Sequence, residues 1–154
     1  MRFVYTLECR ARDGQLRWRE SKRNLVTIQG SDWLLSQGPQ GFAFFVGLID
    51  AAGFSAISDG DTAAVHPGWV ENVAYSQGTR PAFVPGSASG GQVDNSASLA
   101  TYSITANGTI QGAFCSTQAT KGGTGGVLYS ASAFGTPRIV ESGDVLTVQV
   151  AQEV

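Results

Sequence analysis

Phe42-Ala43-Phe44-Phe45-Val46-Gly47-Leu48-Ile49 is apolar at every position and ends against Asp50. The run is too short to cross a membrane, and its aromatic and β-branched residues predict a central strand buried on both faces. Short strand candidates with turn signals surround it, and one helix candidate, residues 31–37, stops at Gly38-Pro39. The pattern predicts an all-β fold, a single-domain β-sandwich or jelly roll with an N-terminal hairpin and one short helix.

The chain has 154 residues, of which 20 are glycine, 42% are hydrophobic and 14% are charged. The hydrophobic content excludes a disordered chain, and the many glycines disfavour a helical bundle, in which each interior Gly costs about 1 kcal/mol. We expect one domain spanning 1–154, with a basic hairpin or arm at 1–23 and a sandwich body at 24–154. No signal-peptide block opens the sequence, so we expect cytoplasmic synthesis and no membrane segment.

Positive charge is concentrated at the N-terminal end. Residues 1–23 carry seven basic and three acidic side chains, a net charge of +4, whereas residues 24–154 carry three basic and nine acidic ones, a net charge of −6. One interpretation is a solvated basic hairpin on an acidic domain. The other is a docking element for an acidic protein surface or for another copy of the chain. Nucleic acid is a weaker third choice, because the whole chain is mildly acidic.

The basic segment alternates apolar and polar residues around Asp13-Gly14, which suits a two-residue hairpin turn. This register places Cys9 opposite Trp18 and Arg10 opposite Arg17. Directly opposed like charges destabilise a strand pair, so the two arginines are easier to explain with an anionic partner. The residues predicted to contact such a partner are Arg10, Arg12, Arg17, Arg19, Lys22 and Arg23.

A second hairpin is predicted from Leu99–Thr105 and Thr109–Cys115, which flank a turn at Ala106-Asn107-Gly108. Its register stacks Tyr102 over Gly112, an arrangement in which an aromatic ring shields a bare backbone.

The other strand candidates are short and are separated by turns. Residues 85–95, rich in Gly and Ser, indicate a long turn. Residues 127–133 and 138–140 indicate two strands. In the last strand one face is shared by Leu146, Val148 and Val150. Further strand candidates lie at 24–28, 72–75 and 81–84.

Residues with potential chemistry favour structural roles. His66 is the single histidine, and beside Pro67 it is predicted to be a loop residue rather than a lone base. Asp59-Gly60-Asp61 suggests calcium but lacks the rest of an EF-hand loop, so a capping turn explains it equally well. Gly122–Gly126 lacks the Gly-Lys-Ser/Thr of a phosphate-binding loop. We therefore expect no catalytic residue, no metal site and no cofactor.

Cys9 and Cys115 lie in alternating apolar runs and are predicted to be buried free thiols of a chain made in a reducing cytoplasm. Trp18, Trp33 and Trp69 admit a sugar-stacking platform, but tryptophans in three separate elements are more often anchors of the core and its rim. An enzyme is thus the least favoured class of protein.

A series of turns and strand starts runs along nearly the whole chain. Its segments are Asn24-Leu25-Val26-Thr27, Phe45-Val46-Gly47-Leu48-Ile49, Asp61-Thr62-Ala63-Ala64, His66-Pro67-Gly68-Trp69-Val70-Glu71, Ala74-Tyr75-Ser76, Thr79-Arg80-Pro81-Ala82-Phe83, Gly112-Ala113-Phe114, Thr120-Lys121-Gly122-Gly123-Thr124, Gly126-Val127-Leu128-Tyr129-Ser130 and Ser142-Gly143-Asp144-Val145-Leu146. Their order resembles a family of small virion proteins of tailed bacteriophages that includes jelly-roll capsid cement, or decoration, proteins.

The resemblance implies a structural role without catalytic residues. It implies a place on the outer surface of the phage head, where a homodimer or homotrimer binds the major capsid protein, and no nucleic-acid or membrane partner. The six basic residues named above are then expected to contact the capsid or a neighbouring subunit. The alternative is a tail or head-fibre component that binds host-surface glycans, which predicts exposed Trp or Tyr in the loops at 50–98.

Overall fold

The computed structural model describes residues 4–10, 15–23, 35–36, 38 and 41–153. Strands dominate these ranges, which confirms the predicted all-β class. In chain order they are β1 (Val4–Arg10), β2 (Leu16–Arg23), β3 (Phe44–Asp50), β4 (Glu71–Asn72), β5 (Ala82–Phe83), β6 (Gln92–Asp94), β7 (Ala100–Ser103), β8 (Gly108–Ser116), β9 (Leu128–Val140), β10 (Val145–Val148) and β11 (Ala151–Glu153).

The strands of the body pair in a nested order. β8 pairs with β9, β7 with β10 and β6 with β11, always antiparallel, so this part of the chain folds back on itself as a long ribbon. β3 joins the other side of β8, and β4 and β5 both pair with β3, which completes a five-stranded sheet. β1 and β2 pair with each other in a two-stranded sheet.

β3 confirms the predicted central strand from Phe44 onward, but the predicted first two residues lie outside it and Phe42 is 67% exposed. Phe44, Val46 and Leu48 enter one hydrophobic cluster, whereas Ile49 enters a second cluster. Since successive side chains of a strand point to opposite faces, the two clusters cover the two faces of the sheet. The strand candidate at 81–84 contains β5, whereas the candidate at 72–75 overlaps β4 only at Asn72; both strands border β3.

The first cluster joins the sheet to the β7–β10 pair. Tyr102 of β7 is fully buried in it, and its hydroxyl donates a 2.7 Å hydrogen bond to the Val46 carbonyl oxygen of β3. The Tyr75 ring meets Tyr102 edge-on, with 4.9 Å between the ring centroids. The cluster is completed at the C-terminal end by the residues predicted to share one face, Leu146, Val148 and Val150.

The predicted hairpin of Leu99–Thr105 with Thr109–Cys115 is wrong. β7 pairs with β10, whereas β8 pairs with β3 and β9, so Tyr102 lies across from β10 and not from Gly112. Gly112 is required by β9 instead, because a Cβ at this position would collide with the backbone of that strand. The Asn107-Gly108 turn signal is local, but the burial of apolar faces decides which strands pair.

The aromatic-over-glycine contact occurs at another pair of residues. Phe114 of β8 and Gly47 of β3 are cross-strand partners, and a Cβ at Gly47 would collide with the Phe114 ring. Trp69 packs on the other side of that ring, with 5.2 Å between centroids. Together with Ile49, the two aromatic residues form the second cluster.

β9 is one strand of 13 residues where the sequence predicts two. Its register with β8 slips so that Phe134–Pro137 stand opposite Gln111 alone. The Gln111 Nε2 group donates a 2.9 Å hydrogen bond to the Phe134 carbonyl oxygen and so satisfies part of the bulged backbone. The strand therefore continues through a wide bulge instead of ending before Pro137.

The predicted long turn at 85–95 contains a strand, β6, and ends at a buried amide. Asn95 is fully buried, donates from Nδ2 to the Val148 carbonyl oxygen at 3.2 Å and accepts at Oδ1 from the Val150 amide at 2.7 Å. These bonds satisfy the backbone between β10 and β11, so one side chain links two of the nested strand pairs.

Two predicted elements fall largely outside the described residues. The strand candidate at 24–28 lies wholly outside them. Of the helix candidate at 31–37, Leu35 and Ser36 are described; both have helical backbone, and Leu35 is buried. Within the described ranges, no helix is long and apolar enough to cross a bilayer.

Candidate interaction surfaces

The basic hairpin has the predicted register along most of its length. Cys9 pairs with Trp18 as expected. The register then shifts, so that Arg10 pairs with Leu16 and not with Arg17. The predicted opposition of the two arginines is therefore wrong, because an irregularity in the strand pair separates them.

The other predicted contact residues follow along β2. Arg19 pairs with Glu8, while Lys22 and Arg23 end the strand. Arg12 and the predicted turn at Asp13-Gly14 lie outside the described residues. β2 alone carries four basic residues and one acidic residue, a net charge of +3, which makes it the most basic of the described strands.

In the body, Arg80 is buried in an ion pair with Glu71. Its Nε donates to Oε1 at 2.8 Å and its Nη2 to Oε2 at 2.7 Å, and the two side chains are 4% and 7% exposed. The guanidinium also donates to the carbonyl oxygens of Gln118 at 2.8 Å and Gly123 at 3.2 Å, and it lies 5.0 Å from the Phe114 ring centroid. This clamp binds β4 to the loop that follows β8.

The glycine-rich loop serves the same clamp. The Gly122 amide donates a 2.7 Å hydrogen bond to Glu71 Oε2, and Gly122 and Gly126 have φ values of +66° and +75°, which side chains disfavour. Next to them, Lys121 Nζ donates to the Tyr75 carbonyl oxygen at 2.8 Å and lies 4.4 Å from the Tyr75 ring centroid. The loop thus adds one backbone donor, the Gly122 amide, to the two that Arg80 supplies to Glu71.

The body presents an acidic surface. Of its three basic residues, Arg80 is buried, Lys121 is held by backbone carbonyls and Arg138 is exposed. Exposed carboxylates of the body include Asp59, Glu141, Asp144 and Glu153. Because Glu71 is buried together with Arg80, the ion pair removes one charge of each sign from the surface, and the net charge of −6 counted for residues 24–154 still describes the body.

His66 and Asp61 fix the position of Trp69. His66 Nδ1 donates a 2.9 Å hydrogen bond to the Trp69 carbonyl oxygen, and its ring stacks on the indole at 3.9 Å between centroids. Asp61 Oδ2 accepts from the Ser58 amide at 3.0 Å and the indole Nε1 at 2.8 Å, and these bonds lower the pKa of Asp61. His66 thus has the structural loop role predicted for it.

The Asp59-Gly60-Asp61 segment has the capping geometry of a turn. Asp59 is exposed, while one Asp61 oxygen is occupied by the two donors described above. In the part of the chain that the structure describes, no three His, Cys, Asp or Glu residues gather as a metal-binding group.

The tryptophan and tyrosine rings of the 50–98 loops are buried. This range is fully described and contains one tryptophan, Trp69, and one tyrosine, Tyr75, each of which is 3% exposed. Neither ring offers a face on which a sugar could stack. The side chains of Trp18 and Trp33 lie outside the described part of the chain.

Cys115 is a buried free thiol, as predicted. Burial raises the pKa of this thiol and keeps it protonated at neutral pH. The Cys9 side chain lies outside the described part of the chain.

The outer edge of β9 is a feature that sequence patterns did not single out. β9 ends the β4-β3-β8-β9 order, so its outer backbone groups have no strand partner among the described strands. Leu128–Ala133, the half before the bulge, contains no charged residue and no proline. A second register shift with β8 leaves Tyr129 as an extra residue, so the regular part of this edge is Ser130–Ala133. Uncharged edges without proline are where sheets accept another strand, and this composition was the available signal.

Comparison with protein-family models, with curated proteins and with solved structures finds no match for this chain.

Proposed function

We propose that the chain is a bacteriophage virion structural protein, a capsid cement or decoration protein. It binds the outer surface of the assembled head and stabilises contacts between major capsid protein subunits. The observation that carries the proposal is the separation of charge, with a basic two-stranded hairpin and a body whose surface is acidic. The segment order described above supports the choice of the phage head as the partner.

A jelly-roll body is part of the same proposal. The nested pairing of β8 with β9, β7 with β10 and β6 with β11 supports it, because a jelly roll is a long antiparallel ribbon rolled into two sheets. Such a body suits adhesion, since its strands form a scaffold from which loops and an arm reach neighbouring subunits.

Cementing follows from linkage. A protein that binds the assembled shell but not its separate subunits stabilises the shell in proportion to its own binding free energy. The basic residues Arg10, Arg12, Arg17, Arg19, Lys22 and Arg23 supply charge that favours acidic groups of the capsid or of a second copy. A homodimer or homotrimer on the capsid multiplies these contacts.

The proposal is tested by replacing Arg10, Arg12, Arg17 and Arg19 with Glu in the full chain and measuring how many copies remain on purified heads. We expect loss of occupancy and of the heads' resistance to heat and salt. Arg138→Glu is the matched control, because Arg138 is exposed on the body and should leave occupancy intact. Unchanged occupancy of the hairpin variant, or electron cryomicroscopy that locates the chain away from the outer shell, would overturn the proposal.

A further inference from the structure

The first half of the β9 edge is flanked by carboxylates on both faces of the sheet. On one face, Asp59 and Asp61 line a cavity of about 310 Å³ together with Leu128–Ala131. On the other face, Glu153 lines a cavity of about 470 Å³ together with Tyr129 and Ser130. Packing shows that the two cavities lie on opposite faces. Leu128 and Ala131, which line the smaller cavity, contact the second hydrophobic cluster, whereas the larger cavity is lined by residues of the first cluster.

The partner that fits this edge is an extended segment carrying positive charge. Backbone donors and acceptors of an unpaired edge select a β-strand, and carboxylates above and below it select cations on that strand. Asp61 keeps its charge at low pH, because its hydrogen bonds lower its pKa.

β2 has this chemistry. It has eight residues and a net charge of +3, and within the described strands it pairs with β1 on one side while its other edge has no strand partner. β9 pairs with β8 and not with β2 of the same chain, so the hairpin of one copy leaves its own edge open to another copy.

We propose that β2 of one copy adds as a strand to Leu128–Ala133 of β9 in a second copy, with its basic residues meeting Asp59, Asp61 and Glu153. The contact deepens the adhesive role proposed above and rests on it for the function of the hairpin. It makes the hairpin a link between copies. Two other edges would compete for β2: that of an acidic capsid strand and the β9 edge of the same chain.

The test uses two full-length charge-reversed variants and analytical ultracentrifugation at low ionic strength. In Arg17→Glu/Arg19→Glu the hairpin becomes acidic, and in Asp59→Lys/Glu153→Lys the β9 edge becomes basic. Each variant alone should associate about tenfold more weakly than the wild-type chain, or worse. Mixed together they should associate again, because each hairpin then meets an edge of opposite charge. Glu141→Lys, at an exposed carboxylate beyond the bulge, is the control that should keep wild-type association.

Hydrogen exchange on the wild-type chain separates strand addition from simple charge attraction. Association should slow exchange of the backbone amides in Leu128–Ala133. A wild-type chain that stays monomeric at millimolar concentration, mixed variants that fail to associate, or association without this protection would each overturn the inference. The two proposals can fail separately. If the wild-type chain stays monomeric but its hairpin variant no longer occupies heads, the strand addition is refuted and the cement proposal stands.

Discussion

The buried Arg80–Glu71 ion pair gives a sharp test of what holds the body together. Arg80→Met keeps much of the side-chain volume but removes four hydrogen bonds: two to Glu71 and one each to the carbonyl oxygens of Gln118 and Gly123. The Glu71 carboxylate then retains the Gly122 amide as its donor among the described residues.

The magnitude follows from the burial of both charges. Removing one partner of a buried pair leaves an uncompensated charge and destabilises a protein by about 3–5 kcal/mol. For a domain of this size, that corresponds to a fall in Tm of about 6–20 °C. The double variant Arg80→Met/Glu71→Gln should be more stable than Arg80→Met alone, because it no longer buries the Glu71 carboxylate without a counter-charge.

Urea unfolding followed by tryptophan fluorescence measures these free energies. Arg138→Met serves as the control, since loss of an exposed arginine should change stability by no more than about 0.5 kcal/mol. A loss of about 1 kcal/mol or less for Arg80→Met would be the behaviour of a surface ion pair and would refute the reasoning.

Four further variants probe the core and the loops. Tyr102→Phe should lower the free energy of unfolding by about 1–3 kcal/mol, because the buried Val46 carbonyl loses its donor. Tyr75→Phe should be close to neutral, since the Tyr75 hydroxyl is buried without a hydrogen-bond partner among the described residues. Equal losses of the two variants in urea unfolding would contradict this. Gly47→Ala should lower Tm by several degrees because its Cβ collides with the Phe114 ring, and an unchanged Tm in calorimetry would argue against that contact. The stability that the ionised Asp61 adds is present above its ordinary pKa of 3.8 and disappears as pH falls through its lowered pKa in the folded state. The difference in urea midpoint between wild type and Asp61→Asn should therefore narrow from pH 5 to pH 2. A constant difference would contradict the role given to the Asp61 hydrogen bonds.

Sequence patterns predicted elements whose signal is carried by their own residues. The run ending at Ile49 indicated a central strand, because hydrophobicity at every position suits burial on both faces. The alternation around residues 5–22 predicted the pairing of Cys9 with Trp18. Both features depend on local periodicity, which the sequence displays directly.

Pairings between distant segments were not predictable in the same way. The turn at Asn107-Gly108 suits a hairpin, yet β7 pairs with β10, some 40 residues away, because that arrangement buries Tyr102 against β3. Similarly, nothing in the spacing of Glu71 and Arg80 indicates that they form a buried bidentate pair with the glycine-rich loop around them.

The candidate surface was predictable in charge but not in geometry. Counting residues located both the basic segment at 1–23 and the acidic body, whereas the engagement of Arg80 with Glu71 and of Lys121 with backbone carbonyls became evident only from the structure. The edge of β9 required knowledge of strand order, which depends on long-range pairing.

The bulge at Phe134–Pro137 limits the length over which a strand of another molecule can pair with β9. A strand laid along β9 from Leu128 crosses the register shift at Tyr129 and then meets a bent backbone and a proline after Ala133, so the regular part of a shared ladder spans about 13 Å. A continuous ladder over all of β9 would be a template for fibres, since each added strand would expose a new long edge. Interrupting it favours assemblies of finite size over open-ended growth.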